Sequence, residues 1–521
     1  MSVHGASVEA VNQANAYKQK DWGNLIAPTN RRPFGYAWED WGRLDALEVL
    51  KEAKSIYKPD EKRIYLTGHS MGGHGTWYLG ATYPDKFAAI APCAGYPDLL
   101  LYRDGFLKTT LKMPDEKLFQ LGMDPKTIER LRMEQIKTPI ETLIERAGTP
   151  SRTLKLIRNY LHYGVYILHG EKDDVVPTYI AQDMRERLGK FHPDFNYYEY
   201  PGGEHWYGNH SLDWDPIFSY FKWHTIQDDN DINELEFHTG SPGVSSKSHF
   251  ITIHQQKKPF EISSFRFTKN EDYKIETKNV HLLEIDLSKP NDSIIEISID
   301  EDIFEVSNKE NVIFEKINTN WKKVKTPSLQ EKGPHRNGGF KDAFRNNVVL
   351  VYASKGLEAE NEWHYNRARF DAETFWYRDN GSVEVVKDVD FSLKTYENRN
   401  VVLYGNKDNN SAWDKLLKDA PIQVKNNEVN FNGKKLLGNE WGMYFIVPRK
   451  DSDLASVGVV AATGLKGMKA AYMNHYLVNG TTFPDVLLFD DDVLIYGESA
   501  VKCAGFFGND WSVESGDFEW K

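Results

Sequence analysis

The sequence predicts an α/β protein: a doubly wound, mostly parallel sheet over residues 1–228, then a small all-β module and a second α/β domain. Three observations carry that expectation. Short apolar runs alternate with segments of helical period through the first 228 residues, the pattern of a parallel sheet covered on both faces. Residues 249–326 hold strand signals without a convincing helix. From about Lys332 onward strands and helices alternate again.

Taken in order, residues 8–20 read as a helix and Asn24–Ala27 as a strand ended by Pro28. Trp41, Leu44, Leu47 and Leu50 recur at helical spacing between Trp38 and Tyr57. Strands are expected at Arg63–Thr67, Phe87–Ala91, Tyr163–Leu168 and Asn196–Tyr200, with helices at Met71–Tyr83, Tyr179–Leu188 and Trp214–His224. Residues 98–161 interrupt this rhythm with a charged, helix-rich insertion, including Thr127–Gln135 and Ile140–Arg146, expected to cap the site. The Asp- and Gly/Ser/Pro-rich stretch 229–248 reads as a linker. The β module, 249–331, has strands near His249–Ile253, Ile262–Thr268, Val280–Ile285 and Ser293–Ile299. The last domain, 332–521, has strands at Asn347–Tyr352, Val383–Val386, Asn400–Tyr404, Met443–Val447, Ser456–Ala461 and Pro484–Phe489. It also has helices at Glu358–Arg378 and Leu465–Leu477 and a hairpin within Gln423–Leu437. Its Gly405–Asn410 loop reads as an Asn-rich helix start, with anion or polar-ligand binding the lesser reading.

Composition narrows the function. The 521 residues are 40% hydrophobic and 27% charged, as in ordinary globular proteins. A net charge of -12 argues against a nucleic-acid partner, since phosphates need a cationic face. Two cysteines, Cys93 and Cys503, make neither a disulfide framework nor a Cys-based metal site. No apolar run approaches the roughly 18 residues of a spanning helix, and residues 1–6 show no signal-peptide pattern. Aromatic residues, at 13%, suit ring- or sugar-binding clefts as well as core packing.

The chemistry centres on Gly68-His69-Ser70-Met71-Gly72-Gly73, set between a strand run and a helix. Small residues at 68 and 72 allow a sharp turn that holds the Ser70 hydroxyl outside the sheet, and the following helix start offers the Met71 N–H to an oxyanion. A serine nucleophile needs a base and an orienting carboxylate, here on loops after later strands. The loop after Leu168 offers Glu171, Asp173 and Asp174, and the loop after Tyr200 offers His205, with His210 its nearest rival.

Together, Gly68–Gly73, His169-Gly170-x-x-Asp173-x-Val175-Val176-Pro177 and Gly203-Glu204-His205 resemble the α/β-hydrolase fold. They are similar to the prolyl-oligopeptidase-like serine hydrolases (peptidase family S9) and the related feruloyl and acetyl esterases. The resemblance covers about the first 228 residues. It implies Ser70 as nucleophile, Asp173 as orienting acid and His205 as base. It also implies His4-Gly5-Ala6-Ser7 as the oxyanion loop, with the Ala6 N–H joining that of Met71. No cofactor and no metal are implied. Residues 332–521 are similar to the C-terminal region of large bacterial members of that group, which implies no particular chemistry.

The front departs from the family. Only Met1–Val3 precede the oxyanion loop, where the family has three strands, so the expectation is a chain truncated at its front. An open sheet edge and poor stability are expected with it. The resemblance further implies a periplasmic or secreted protein whose signal lies upstream. The expected function is a serine hydrolase cleaving a small-molecule ester, a feruloylated or acetylated saccharide, or a peptide. The alternative is a degenerate or truncated hydrolase serving as a polysaccharide- or protein-binding module. Oligomeric state has no sequence signal here.

Overall fold

The computed structural model describes residues 1–132, 137–270, 272–288, 296–306, 311–471 and 475–521. Its first sheet is parallel and runs in chain order: β1 (Ser2–Val3), β2 (Tyr65–His69), β3 (Ala89–Cys93), β4 (Gly164–Gly170) and β5 (Phe195–Tyr200). Every residue of β2, β3 and β4 is buried, which explains their apolar, non-alternating sequences. Helices α1 (Ala10–Asn15), α2 (Asp40–Tyr57) and α3 (Met71–Thr82) belong to this layer, and α3 is buried along its whole length. The sheet lies on one side of α3, and the 3-10 segment Thr153–His162 packs on it as well.

Two expectations about the front change. Asn24–Ala27 forms no ladder strand; instead the Ile26 carbonyl accepts a single hydrogen bond from Ser2 N–H at 2.8 Å. β1, in register with Thr67 and Gly68, is the outer strand of this sheet among the described residues, with the Ile26 contact beyond it. The helix expected over 8–20 is confined to α1, and Lys18 turns away to donate its N–H to Asp213.

The insertion contains α4 (Leu99–Thr110), α5 (Asp115–Gln120), α6 (Pro125–Arg132) and α7 (Pro139–Arg146). The last three residues of the helix expected over Thr127–Gln135 lie outside the described residues. Pro139 and a Thr138–Glu141 capping box start α7. Ile140, Leu143 and Ile144 on α7 join the apolar core of the C-terminal sheet. This end of the insertion is therefore a brace between layers rather than a cap over Ser70. Helices α8 (Tyr179–Gly189) and α9 (Asp215–Lys222) complete the first layer.

The expected linker is structured. β6 (Glu234–Thr239) and β7 (Lys247–Ser248) open two five-stranded sheets. Leu235 and Phe237 alternate with Glu234, Glu236 and His238, and this short period-two signal is flanked by Asp-rich and Gly/Ser/Pro-rich residues. The rest of the sandwich is β8 (Ile251–Gln256), β9 (Ser263–Lys269), β10 (Tyr273–Lys278), β11 (Val280–Asp286), β12 (Glu296–Ile299), β13 (Asp302–Glu305), β14 (Asn311–Ile317) and β15 (Asn320–Val324). Residues 293–295 of one expected strand lie outside the described residues. The sheets run β13-β12-β10-β9-β6 and β15-β14-β11-β8-β7, and their inner faces form one core.

The third layer contains β16 (Val349–Tyr352), α10 (Glu358–Asp379), β17 (Glu384–Lys387), β18 (Val401–Tyr404) and α11 (Trp413–Leu417). The meander β19 (Ile422–Lys425), β20 (Glu428–Phe431) and β21 (Lys434–Leu437) follows. Then come β22 (Gly442–Pro448), β23 (Ser456–Ala462), α12 (Leu465–Ala470), β24 (Val486–Phe489), β25 (Cys503–Phe506) and β26 (Asp517–Trp520). The main sheet runs β17-β16-β18-β23-β22-β24-β25-β26 and is mixed, antiparallel from β22 outward. α12 ends earlier than the expected Leu477, and residues 472–474 lie outside the described residues. Asn406, Asn409 and Asn410 spend their side chains on internal bonds to Ala462, His364 and Tyr404. No helix among the described residues is long and apolar enough to cross a membrane.

The layers are joined by buried contacts. Asn159 bridges the carbonyls of Ala81 and His238, and Gln255 on β8 donates its side-chain N–H to the Lys332 carbonyl at 2.9 Å. Tyr36 and Trp41 pack into the same apolar cluster as the C-terminal sheet, and Lys341 pairs with Asp40 at 2.7 Å.

Candidate active site

Ser70 sits where β2 ends and α3 begins, with φ 60° and ψ -120°. A non-glycine residue in that region is strained, and neighbours hold it there. Ser70 N–H donates to the Cys93 carbonyl on β3 at 3.0 Å. The turn closes tightly on β1: a Cβ on Gly72 would lie 2.0 Å from the Val3 carbonyl oxygen, and one on Gly68 2.5 Å from it. Only glycine fits either position.

Asp173 follows β4 and is buried, whereas Glu171 and Asp174 are exposed; Glu171 instead accepts the Gly202 N–H at 2.7 Å. The Asp173 carboxylate accepts the N–H groups of Val175 and Val176 at 3.0 and 2.9 Å. It also accepts His205 Nδ1–H at 2.8 Å. Because a carboxylate only accepts, the proton sits on Nδ1, and Nε2 is left to accept the Ser70 hydroxyl proton, 2.8 Å away. His210 is exposed and lies on Trp214, away from this relay. Ser70, His205 and Asp173 are thus brought together in one hydrogen-bonded line.

Such an elbow at the C-terminal end of an inner strand of a parallel sheet, with a His and an acid after the next strands, decides the fold. The first layer is an α/β-hydrolase domain.

Two histidines that sequence reasoning quoted without a role support this line. His169 Nε2–H donates to the Val176 carbonyl at 2.7 Å and approaches Asp173 Oδ2 at 3.2 Å. Burial pushes the Asp173 carboxyl up, but hydrogen bonds from His169 and His205 outweigh it and hold the group well below the usual carboxylate range. His69 Nε2–H donates to the His205 carbonyl at 2.7 Å. Burial, with His205 adjacent, lowers its pKa to about 3, so His69 stays neutral and acts as a fixed donor. Both adjoin motif residues; the signal was their position, and only the fold shows their partners.

The segment His4–Ser7 crosses the elbow. A Cβ on Gly5 would lie 3.5 Å from the Ser70 Cβ. Ser7 N–H, at φ 64°, donates to the Pro33 carbonyl at 3.1 Å. Trp38 Nε1–H donates to the His4 carbonyl and fixes the loop from behind. Trp206, half-exposed, packs edge-on to His69 with centroids 5.2 Å apart and forms a rim beside His205.

Residues 9–218 match the family model described as "Putative esterase". An uncharacterized secreted protein of Arthroderma benhamiae is 26% identical over 191 residues, 35% of this chain and 18% of that protein. A bifunctional acetylxylan esterase/xylanase of Neocallimastix patriciarum is 38% identical over 61 residues, 11% of this chain and 9% of its own length. The chain thus spans less than a fifth of either relative. Among solved structures, the α/β-hydrolase domain is similar to FphF, a fluorophosphonate-binding serine hydrolase of Staphylococcus aureus. That match has 17% identity and a TM-score of 0.29, and covers 43% of this chain and 81% of that one.

Proposed function

We propose that the chain is a serine ester hydrolase whose substrate is an acylated saccharide. The observation that carries the reading is the unbroken hydrogen-bonded line from Ser70 through His205 to Asp173, set on a strained elbow. His205 takes the Ser70 proton as the oxygen attacks the ester carbonyl, and Asp173 stabilises the resulting imidazolium. The oxyanion is received by the backbone N–H groups of Met71 and Ala6, each such donor worth roughly 3 kcal/mol in the transition state. His205 then hands its proton to the departing alcohol, leaving the acyl group on Ser70. In the second half, His205 deprotonates water, which attacks that acyl group and releases the acid and the free serine.

Support for an ester rather than a peptide comes from the esterase family match over residues 9–218 and from the acetylxylan esterase relative. The aromatic rim at Trp206 suits a sugar or an aromatic acid. The secreted relative supports action outside the cell. The test is a panel of p-nitrophenyl acetate, methyl ferulate, acetylated xylan and Xaa-Pro anilides, together with a fluorophosphonate probe. Turnover of esters and probe labelling by the wild type, both lost in Ser70→Ala, is the expected result. Anilide cleavage without ester cleavage moves the reading to a peptidase; a folded wild type that neither labels nor turns over any ester sinks it.

A further inference from the structure

While α7 leaves for the C-terminal sheet, the front end of the insertion reaches the catalytic line. Asp98, buried just before α4, accepts the Leu101 N–H at 3.1 Å and, from past α7, Arg152 Nε–H at 3.0 Å. These bonds set the first turn of α4, which carries Tyr102. The Tyr102 ring lies flat on that of Tyr96, with centroids 4.1 Å apart and planes within 4°. Tyr96 follows β3 and is tied to the nucleophile side of the site. It stacks on His74 at 4.8 Å, and its carbonyl accepts His74 Nδ1–H at 3.1 Å. The His74 N–H in turn donates to the Ser70 carbonyl at 3.0 Å.

The hydroxyl of Tyr102 serves the acid side. It donates to the Val175 carbonyl at 2.8 Å. That carbonyl and the Val176 N–H are the two ends of one planar peptide group. The Val176 N–H donates to Asp173 Oδ1 at 2.9 Å. Tyr102 and Asp173 therefore hold the same peptide from its two ends. The next carbonyl of this turn, that of Val176, is held by His169.

We infer that Tyr102 is a positioning residue for the acid of the Ser70 site: its hydroxyl fixes the 175–176 peptide, whose N–H holds the Asp173 carboxylate in line with His205. The inference rests on the ester-hydrolase reading and adds a residue from the insertion, outside the three motifs. Among the described residues no hydrogen bond joins Tyr102 to Ser70, His205 or Asp173, so it acts through the peptide. A donor on the carbonyl polarises the peptide and strengthens its N–H as a donor. Without the hydroxyl the peptide is freer to rotate, and Asp173 loses part of the donation that stabilises its charge. The carboxylate is then more basic and holds the His205 imidazolium more tightly. The titratable groups facing Asp173 and Tyr102 are His169 of β4, His69 of β2, His205 and Tyr207 of the base loop and Tyr179 of α8. Tyr102→Phe removes none of them.

The test is Tyr102→Phe in the full chain, which keeps the ring on Tyr96 and deletes only the hydroxyl. On p-nitrophenyl acetate, kcat per site titrated with a fluorophosphonate probe should fall about three- to tenfold, the range one neutral hydrogen bond supplies, with KM unchanged. The acid limb of kcat/KM should move to higher pH, while the melting temperature stays close to that of the wild type. Because rates are counted per titrated site, loss of folded protein cannot mimic the fall. Tyr102→Leu, which also removes the ring, should show at least the same loss of kcat. A Tyr102→Phe variant with wild-type kcat and limbs overturns the inference. So does a rise in KM at constant kcat, since Tyr102 is then a substrate contact. A fall in kcat with unmoved limbs overturns it as well, because the hydroxyl then acts on something other than Asp173. If the wild type neither labels nor turns over any ester, the ester-hydrolase reading falls and takes this inference with it; with that activity intact, only the role of Tyr102 is in question.

Discussion

Asp173 shows how much of the site's character is set by one carboxylate. Its folded pKa lies below the unfolded value near 3.9, because, although burial raises it, the hydrogen bonds from His169 and His205 lower it by more. A depressed acid contributes stability above its unfolded pKa and loses it as pH falls toward the folded one. We expect the melting difference between wild type and Asp173→Asn to be constant from pH 8 to about 5 and to shrink below about pH 4 in thermal scans. The same variant should lose about 10⁴-fold in kcat, since an amide stabilises the wrong His205 tautomer. For His169, Gln keeps an N–H donor and Leu does not. Without that donor the Asp173 carboxylate is more basic and holds the His205 imidazolium more tightly. The acid limb of the kcat/KM profile should therefore move to higher pH in His169→Leu and stay near wild type in His169→Gln; unmoved limbs in both would refute this role.

Among the elements, the elbow and the end of α10 make opposite demands on substitution. Gly72→Ala would place a methyl 2.0 Å from the Val3 carbonyl oxygen, so either β1 or the elbow must move. Activity should fall far more than secondary structure by circular dichroism. At α10, Asp379 is buried with one carboxyl oxygen unpartnered among the described residues. Burial pushes its pKa up to about 7, against the Arg31 charge, with Asp45 and Asp40 adding to the rise. The native state therefore holds a proton there between about pH 4 and 7 that the unfolded chain has released, and stability falls as pH rises through that window. Asp379→Asn should raise the melting temperature at pH 8, with the gain fading toward pH 4. The sequence made the Gly-x-Ser-x-Gly turn legible because strand, glycines and helix are all local. It could not show β6, because the Leu235–Phe237 alternation is short and only the ladder with β9 gives those residues a buried face. Nor could it show that α7 leaves the catalytic site for a distant sheet, since its amphipathic period names a buried face but not the surface that buries it.

For the whole molecule, the parts read from sequence as successive domains share cores. Tyr36 and Trp41 from the front and Ile140, Leu143 and Ile144 from the insertion are packed with the C-terminal sheet. Such core residues each cost about 2–5 kcal/mol when cut to Ala, so Leu143→Ala should lower stability although it lies far from Ser70 in the chain. A fragment of residues 1–228 would expose this surface, and we expect it to melt earlier than the full chain and to bind a hydrophobic dye. A fragment as stable as the whole, by calorimetry, would show that the layers are independent. Acid should also act globally. Burial lowers His69 to about 3, His162 to about 4 and His364 to about 3, so below about pH 6.5 the unfolded chain binds protons that the native one refuses. Stability contributed by these three sites should rise with pH between about 4 and 6.5, and His162→Gln should flatten that slope.

The structured passage from α9 into β6 also governs how the protein would work on a long polymer. A catalytic unit on a flexible tether searches a volume set by linker length, and its products scatter accordingly. Here residues 234–248 are strands and buried turns, and the Arg32–Trp376 contact anchors the other flank. The distance from Ser70 to anything held on the C-terminal layer is then a constant of the molecule. Such a body acts as a ruler: on a regularly acylated chain, successive ester cleavages should fall in a repeating spacing, visible when the positions of the remaining acyl groups are mapped in early products.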